Sequence, residues 1–75
     1  MTGKLLEIIN TVRNNKGLPP VAELMEAQDL RAELGFDSLD LAELTVRIEK
    51  ETGIDIFADS FVLTVGEILA KLGKQ

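Results

Sequence analysis

The N-terminal segment has the pattern of an amphipathic helix, because its apolar side chains recur at intervals of three and four residues: Leu5, Ile8, Ile9 and Val12. Thr2 is placed to cap this helix, and Gly17 suits the left-handed position that often follows a last turn. Pro19 and Pro20 then prevent the helix from continuing. We therefore predict a first helix that ends near residues 14–17.

The pattern predicts a second helix from about Ser38 to Thr52, with Asp37 as its cap, Asp40 three residues further on and Gly53 at its end. One apolar stripe faces the core: Leu41, Leu44, Thr45 and Ile48. A smaller apolar stripe with charged borders lies opposite: Leu39, Ala42 and Val46, flanked by Glu43, Arg47 and Lys50. Such a face is typical of a surface that binds a partner. The alternative is that these apolar residues are merely scattered on the surface.

A last helix is predicted after Thr64, which has Glu67 three residues on, the spacing of a capping box. Gly73 is placed to close it, and its apolar face has four members: Val65, Ile68, Leu69 and Leu72. Residues 54–57 alternate in polarity like a very short strand, but the sequence offers no partner strand. A loop or a short helix through residues 58–61 is therefore favoured.

The fold class we predict is all-α, a small four-helix bundle of three main helices plus a short third helix, in a single domain over residues 1–75. The long connection over residues 18–36 has room for a turn or two of helix over 21–27, and three leucines can anchor it: Leu24, Leu30 and Leu34. Ten residues form the expected core: Leu5, Ile9, Leu44, Ile48, Ile54, Ile56, Phe61, Val65, Ile68 and Leu69.

Composition limits the chemistry of this chain, because its 75 residues include no Cys, His, Trp or Tyr. Thiol nucleophiles, imidazole bases and zinc sites of the usual kind are therefore excluded. Ser38 stands out beside Asp37 at the start of the second helix, but it has no histidine to act as its base. If Ser38 reacts, another protein must activate it. The chain is thus predicted to be a substrate or a carrier and not an enzyme.

Charge is divided unevenly along the sequence. Residues 21–59 hold eleven acids and three basic residues, whereas the two ends together have a net charge of +3 and the whole chain −5. An acidic middle attracts basic partners and disfavours nucleic acid and anionic lipid, unless it is simply a solvated face. The absence of a leader or a long apolar run predicts a cytoplasmic protein without membrane insertion, and we expect a monomer.

The predicted elements and their motifs resemble those of a known protein family. The resemblance covers most of the chain from Leu30 onward. It is carried by four segments: Leu34-Gly35-Phe36-Asp37-Ser38-Leu39-Asp40, then Glu43-Leu44 with Ile48-Glu49, then Gly53-Ile54-Asp55-Ile56, and finally Thr64-Val65-Gly66-Glu67-Ile68. Each is a weak signal alone, but their order and spacing make a strong one. The chain resembles an acyl carrier protein, and without a linker at either end it is expected to be a free-standing one.

The resemblance implies that Ser38 receives a 4′-phosphopantetheine arm from coenzyme A. A phosphopantetheinyl transferase would activate the hydroxyl, with a magnesium ion that Asp37 helps to bind in the transferase complex; the carrier itself is expected to hold no metal. The arm then carries an acyl group as a thioester to acyl-loading and acyl-processing enzymes. The second helix is expected to dock these enzymes through seven residues: Leu39, Asp40, Ala42, Glu43, Val46, Arg47 and Lys50.

Three departures from the common fatty-acid carriers point to a specialised lipid or polyketide pathway. Phe57 stands where those carriers usually have proline, and the stretch over residues 57–65 is about two residues shorter. Arg47 and Lys50 also make the exposed side of the second helix less acidic. Two alternatives stay open: an aminoacyl or peptidyl carrier charged by an adenylating enzyme, and an unmodified helical adaptor in which Ser38 is only structural.

Overall fold

The computed structural model describes residues 2–58 and 61–73. It contains three helices, α1 (Thr2–Asn15), α2 (Ser38–Thr52) and α3 (Val65–Leu72), and between those described residues the only β-type pairing is an isolated bridge of Asp29 with Thr64. The all-α prediction is confirmed. The count of four helices is not confirmed: Ile56 and Phe57 lie in a turn. Of the short helix predicted through residues 58–61, residues 58 and 61 are not helical, and residues 59 and 60 lie outside the described residues.

Helices α1 and α2 pack against each other in antiparallel directions. Lys16, just after the end of α1, forms ion pairs with Asp37 and Asp40 at the start of α2, and Lys4 near the start of α1 pairs with Glu51 near the end of α2. The opposite charges that the sequence places at its basic end and in its acidic middle are therefore partly used inside the fold. This packing fixes the start of α2 beside the end of α1.

The ends of α2 and α3 follow from local sequence. Gly53 closes α2 in the left-handed conformation, with φ of 77°, which glycine adopts without steric cost. At α3, the Thr64 hydroxyl accepts the Glu67 N–H at 3.2 Å, as the capping-box spacing predicts. The Glu67 carboxylate, however, accepts the N–H of Leu63 and the Thr64 hydroxyl, so it caps one residue earlier than a standard box.

The long connection between α1 and α2 is held down by buried leucines and by hydrogen bonds. Leu30 and Leu34 are buried, and Leu24 packs partly buried against the core. In the region over residues 21–27, where a helical turn or two was expected, one hydrogen-bonded turn is present at residues 26 and 27. A longer turn lies at residues 30–34, where the N–H groups of residues 33 and 34 donate to the carbonyl of Asp29. The Arg13 guanidinium donates to the Leu34 carbonyl at 2.6 Å and thereby satisfies a buried polar group. A connection tied down in this way can hold side chains next to the start of α2.

Seven of the ten residues predicted for the core are buried: Leu5, Ile9, Leu44, Ile48, Ile56, Val65 and Ile68. Ile54 and Leu69 are only partly buried at its margin. Phe61 was placed in the core wrongly, since it is 84% exposed while the adjacent Val62 is 1% exposed. The segment before α3 therefore enters the core one residue later than the pattern indicated, and this register leaves a phenylalanine at the surface.

Candidate functional site

Ser38 is the first residue of α2, and its side chain is exposed. Its hydroxyl oxygen accepts a hydrogen bond of 2.9 Å from Nη2 of Arg31, in the preceding connection. The residues around it, in the part of the chain that the structure describes, include no imidazole or thiol, because the sequence has none. The hydroxyl is therefore accessible and oriented, but the chain offers it no base of the usual kind.

Asp37 and Asp40 fix the direction in which α2 begins. The Asp37 carboxylate accepts the N–H of Asp40 at 2.9 Å, and the Asp40 carboxylate accepts the N–H of Asp37 at 2.9 Å. This reciprocal pair satisfies N–H groups that the first turn of a helix leaves without partners. Asp37 keeps an exposed carboxylate next to Ser38, with a side-chain exposure of 66%.

Asp40 is buried, and this separates it from the other residues predicted to dock partners. Its side chain is 11% exposed and binds the Lys16 ammonium as well as the Asp37 N–H. Burial raises the pKa of Asp40, but the hydrogen bonds from the Asp37 N–H and from Lys16 outweigh that effect and leave the pKa below its ordinary value of 3.8. Asp40 therefore offers little surface to a partner and holds the site together instead.

We predict that Asp40→Asn lowers the free energy of unfolding by about 1–2 kcal/mol at neutral pH, because the negative charge that strengthens the hydrogen bonds from Lys16 and from the Asp37 N–H is lost. A lowered folded-state pKa means that this stabilisation is present above pH 3.8 and is lost as the pH falls through the folded-state value. Urea denaturation of both proteins from neutral to acidic pH measures the difference.

Glu49→Gln is the matched control, since Glu49 lies exposed on the same helix. Its effect should stay within about 0.5 kcal/mol at every pH. A gap between the wild type and Asp40→Asn that persists unchanged into the acidic range would contradict the structural role of this carboxylate.

A cleft of about 220 Å³ opens beside Ser38. Its lining is mainly apolar and comes from α2, the connection and the segment before α3: Arg31, Ser38, Leu41, Ala42, Phe57, Phe61, Val62 and Leu63. The rings of Phe57 and Phe61 meet edge to face, with centroids 6.3 Å apart and planes inclined by 71°. An apolar group attached near Ser38 can thus find a partly sheltered surface within reach.

The other six predicted docking residues lie together on the outer face of α2. They line one shallow depression, which we call the α2 outer face: Leu39, Ala42, Glu43, Val46, Arg47 and Lys50. Leu39 and Val46 are 79% and 64% exposed and lie in the same depression, so they form an apolar centre with charged borders. The placement fits a docking surface, although a role in docking stays a prediction.

The charges of the α2 outer face are partly neutralised within the face. Arg47 Nε donates to the Glu43 carboxylate at 2.9 Å, an i,i+4 pair. Asn15 donates to the same carboxylate oxygen at 3.2 Å. With Glu43 engaged in this way, Lys50 leaves the rim with an excess of positive charge.

Several residues at the site were not predicted from the sequence. Arg31 lies in a connection without periodicity, so no pattern indicated that it reaches Ser38. Phe61 and Leu63 line the cleft because of the register of the segment before α3. Lys16 could have been found, since an antiparallel helix pair joined after Gly17 places the end of α1 beside the start of α2.

The surroundings of Ser38 suit a serine that is modified by another protein. Helix N-termini favour negative charge, so a phosphate ester on Ser38 would lie in a favourable field, with the Arg31 guanidinium beside it. These residues fit a covalently attached phosphodiester. Across residues 2–58 and 61–73, no cluster of three or more acidic side chains is placed to hold a metal ion, and no helix there is long and apolar enough to span a membrane.

Comparisons with known proteins agree with this chemistry. The family described as "Phosphopantetheine attachment site" matches residues 4–72. The chain is 38% identical over 52 residues to an acyl carrier protein of Saccharopolyspora erythraea, which covers 67% of this chain and 55% of that protein. The chain thus spans about half the length of the curated relative it matches. No solved structure matches it significantly.

Membership of this family identifies both the attached group and the class of protein. Domains of this family are sites of covalent 4′-phosphopantetheine attachment. They are carriers and not enzymes, in agreement with a serine that has no base of its own. The chain belongs to the phosphopantetheine-dependent acyl carrier protein family.

Proposed function

We propose that Ser38 is the attachment point of the 4′-phosphopantetheine arm and that this chain carries acyl groups as thioesters on the terminal thiol of that arm. The observation that carries this proposal is the exposed Ser38 hydroxyl, fixed at the first residue of α2 and flanked by Asp37. No other position described by the structure combines an accessible hydroxyl, a helix start and an adjacent carboxylate in this way.

Attachment forms a bond between Ser38 Oγ and the phosphorus next to the pantetheine of coenzyme A. The pyrophosphate P–O bond breaks, adenosine bisphosphate leaves with the electron pair of that bond, and Ser38 Oγ loses its proton. The base must come from the transferase, because this chain has no histidine and the group nearest to Oγ is the Arg31 guanidinium, a donor. We assign Asp37 a supporting role. Its exposed carboxylate can offer an oxygen to a magnesium ion held mainly by the transferase, since carboxylate oxygens are ligands that Mg²⁺ accepts.

The cleft beside Ser38 favours an apolar acyl cargo. Phe57, Phe61 and Val62 contribute apolar surface there, which would be removed from water by a hydrocarbon chain. The Arg31 guanidinium at the same cleft would repel the ammonium group of an aminoacyl cargo. We therefore place acyl cargo from a lipid or polyketide pathway first.

The second candidate is an aminoacyl or peptidyl carrier loaded by an adenylating enzyme. The observation in its favour is the short segment between α2 and α3, where residues 56 and 57 form a turn and not a regular helix. The resemblance to the carrier family implies a third-helix region shorter than that of the common fatty-acid carriers, and a shorter region would suit such a carrier. The chemistry of the cleft argues against this candidate but does not remove it.

Intact mass of the protein isolated from its native host tests the cargo directly. The proposal predicts the mass of the arm plus a fatty, hydroxylated or polyketide acyl group, released by hydroxylamine as expected for a thioester. An amino acid on the arm would instead support the second candidate. A protein that never gains an arm, even with coenzyme A and a broad-specificity transferase, would be an unmodified adaptor.

The α2 outer face is the surface that we propose for partner enzymes, with a dedicated partner set in place of the common fatty-acid synthase. Leu39 and Val46 provide its apolar centre, and Lys50 adds a positive charge to its rim. Strongly basic partner surfaces would be disfavoured at such a rim. We also propose that the protein works as a cytoplasmic monomer, so that this face is free for successive enzymes.

Reversing the two cations tests this proposal about partners. For Arg47→Glu with Lys50→Glu, we expect kcat/KM with the acyl transferase of a common fatty-acid synthase to rise about two- to thirty-fold, from about 0.2–1 kcal/mol for each exposed charge. Lys71→Glu changes the charge in the same direction on α3 and should have no such effect. An unchanged rate for the double variant would count against a dedicated partner set.

A further inference from the structure

The Arg31 guanidinium contacts the atom to which the arm would be attached. Nη2 of Arg31 donates to Ser38 Oγ at 2.9 Å, although the two residues lie in different elements. Arg31 also lines the cleft beside Ser38, together with Phe57 and Phe61. A cation thus lies between the start of α2 and the apolar cleft.

The backbone of Arg31 is held in place by a compact turn. The Asp29 carboxylate accepts the N–H groups of Arg31 and Ala32, both at 2.8 Å, and the Arg31 carbonyl accepts the N–H of Gly35 at 3.1 Å. The N–H of Ala32 and then that of Arg31 lower the pKa of Asp29, so this carboxylate stays ionised at neutral pH. The position of Arg31 therefore follows from a fixed turn and not from its side chain alone.

Arg31 forms no ion pair in the described part of the chain, although its positive charge contributes to the lowered pKa of Asp29. Lys16 pairs with Asp37 and Asp40, and Arg47 pairs with Glu43. For Arg31, by contrast, no carboxylate of residues 2–58 and 61–73 lies within the 4.0 Å that defines an ion pair. Its side-chain hydrogen bond goes to a neutral hydroxyl, so no carboxylate competes with an anion for the N–H groups of the guanidinium.

We propose that Arg31 binds the phosphodiester that joins the arm to Ser38 and thereby positions the first atoms of the arm beside the cleft. This inference rests on the proposed attachment at Ser38. The phosphorus would be bonded to the oxygen that Arg31 already contacts, so the non-bridging phosphate oxygens would lie only two bonds from that oxygen. The planar, forked guanidinium matches such oxygens well.

Attachment would replace a neutral acceptor by an anionic one at a site where the cation is already present. Hydrogen bonds between ionised partners are stronger than those between neutral ones. The covalent tether also keeps the phosphate at a high effective concentration near Arg31, so an exposed pair can form without a separate binding step. Arg31 is thus a positioning residue, which restrains the arm but takes no part in the chemistry of the thioester.

Phosphorus NMR of the loaded protein tests this inference independently of any activity. Wild type, Arg31→Gln, Arg31→Lys and Lys71→Gln are first loaded to completion, as judged by intact mass. We expect the wild-type phosphorus resonance to differ from that of the same protein unfolded in urea, and high salt should reduce the difference. Arg31→Gln should lose most of the difference, Arg31→Lys should keep part of it, and Lys71→Gln should match the wild type.

The outcomes separate the inference from the function on which it rests. If the wild type gains no arm, the attachment proposal fails. If wild type and Arg31→Gln are both loaded and folded but have the same phosphorus resonance, the inference about Arg31 is overturned and the attachment stands. Should Arg31→Gln not fold, the wild type decides, because a resonance that does not respond to salt would exclude the ion pair.

Discussion

Ser38→Ala should abolish attachment of the arm while leaving the fold intact. With coenzyme A and a broad-specificity phosphopantetheinyl transferase, the wild type gains the mass of one arm, whereas the variant gains none because the accepting oxygen is missing. Ser38 is exposed at the first position of α2, and Asp37, which precedes it, supplies the cap. We therefore expect the free energy of unfolding to change by no more than about 0.5 kcal/mol.

Thr11→Ala is a suitable control for this experiment. Thr11 also has a hydroxyl on a helix and is partly exposed, but its hydroxyl donates to the Glu7 carbonyl and lies in α1. This variant should accept the arm at the wild-type rate. An arm on Ser38→Ala would show that another residue is modified, and the assignment of the site would then be wrong.

Leu44→Ala should be among the most destabilising single substitutions in the chain. Leu44 is 0% exposed on the core side of α2, and its truncation leaves a cavity in a small core. Large-to-small substitutions of buried leucines cost about 2–5 kcal/mol. Because a domain of this size has a total stability of only about 5–10 kcal/mol, circular dichroism during urea denaturation will detect the loss easily.

Leu39→Ala is the matched substitution on the opposite side of the same helix. Leu39 is 79% exposed, so the free energy of unfolding should change by at most about 0.5 kcal/mol. If the α2 outer face docks partners, this variant should instead slow loading by an acyl transferase. A large loss of stability for Leu39→Ala, or none for Leu44→Ala, would contradict the division of α2 into a core side and an outer face.

The sequence predicted the three helices well because each has local signals for its beginning or end. Asp37 and Gly53 bound α2, and Thr64 begins α3 at the predicted position. The two stripes of α2 also follow from helical periodicity, as the burial of Leu44 and the exposure of Leu39 show. These features depend on residues close together in the chain, where local rules are reliable.

What the sequence did not predict depends on contacts between distant segments. In the segment before α3, Phe61 is exposed and Val62 is buried. The local sequence does not indicate which of these two apolar residues enters the core. Asp40 was assigned to docking from its place in α2, but the approach of Lys16 from α1 helps to bury it. The contact of Arg31 with Ser38 likewise depends on a turn in a connection that lacks periodicity.

The charge pattern has two roles that the sequence alone could not separate. Lys4 and Lys16 pair with acids of α2 and contribute to the antiparallel packing of α1 and α2. Lys50, on the α2 outer face, remains available to influence partner choice. The acidic middle of the chain therefore acts partly within the fold, whereas a role of the remaining charges in docking stays a prediction.

Fragmentation mass spectrometry of the loaded protein tests the central claim most directly, because it locates the arm on an individual residue. The protein is isolated from its native host, digested, and the peptide that contains Asp37, Ser38 and Leu39 is sequenced. If the arm is attached at Ser38, the added mass of the arm, or the mass lost when the arm is released on fragmentation, is located at Ser38. An arm on any other residue, or a fully unmodified Ser38 in protein that has been exposed to an active transferase, would contradict the proposed site.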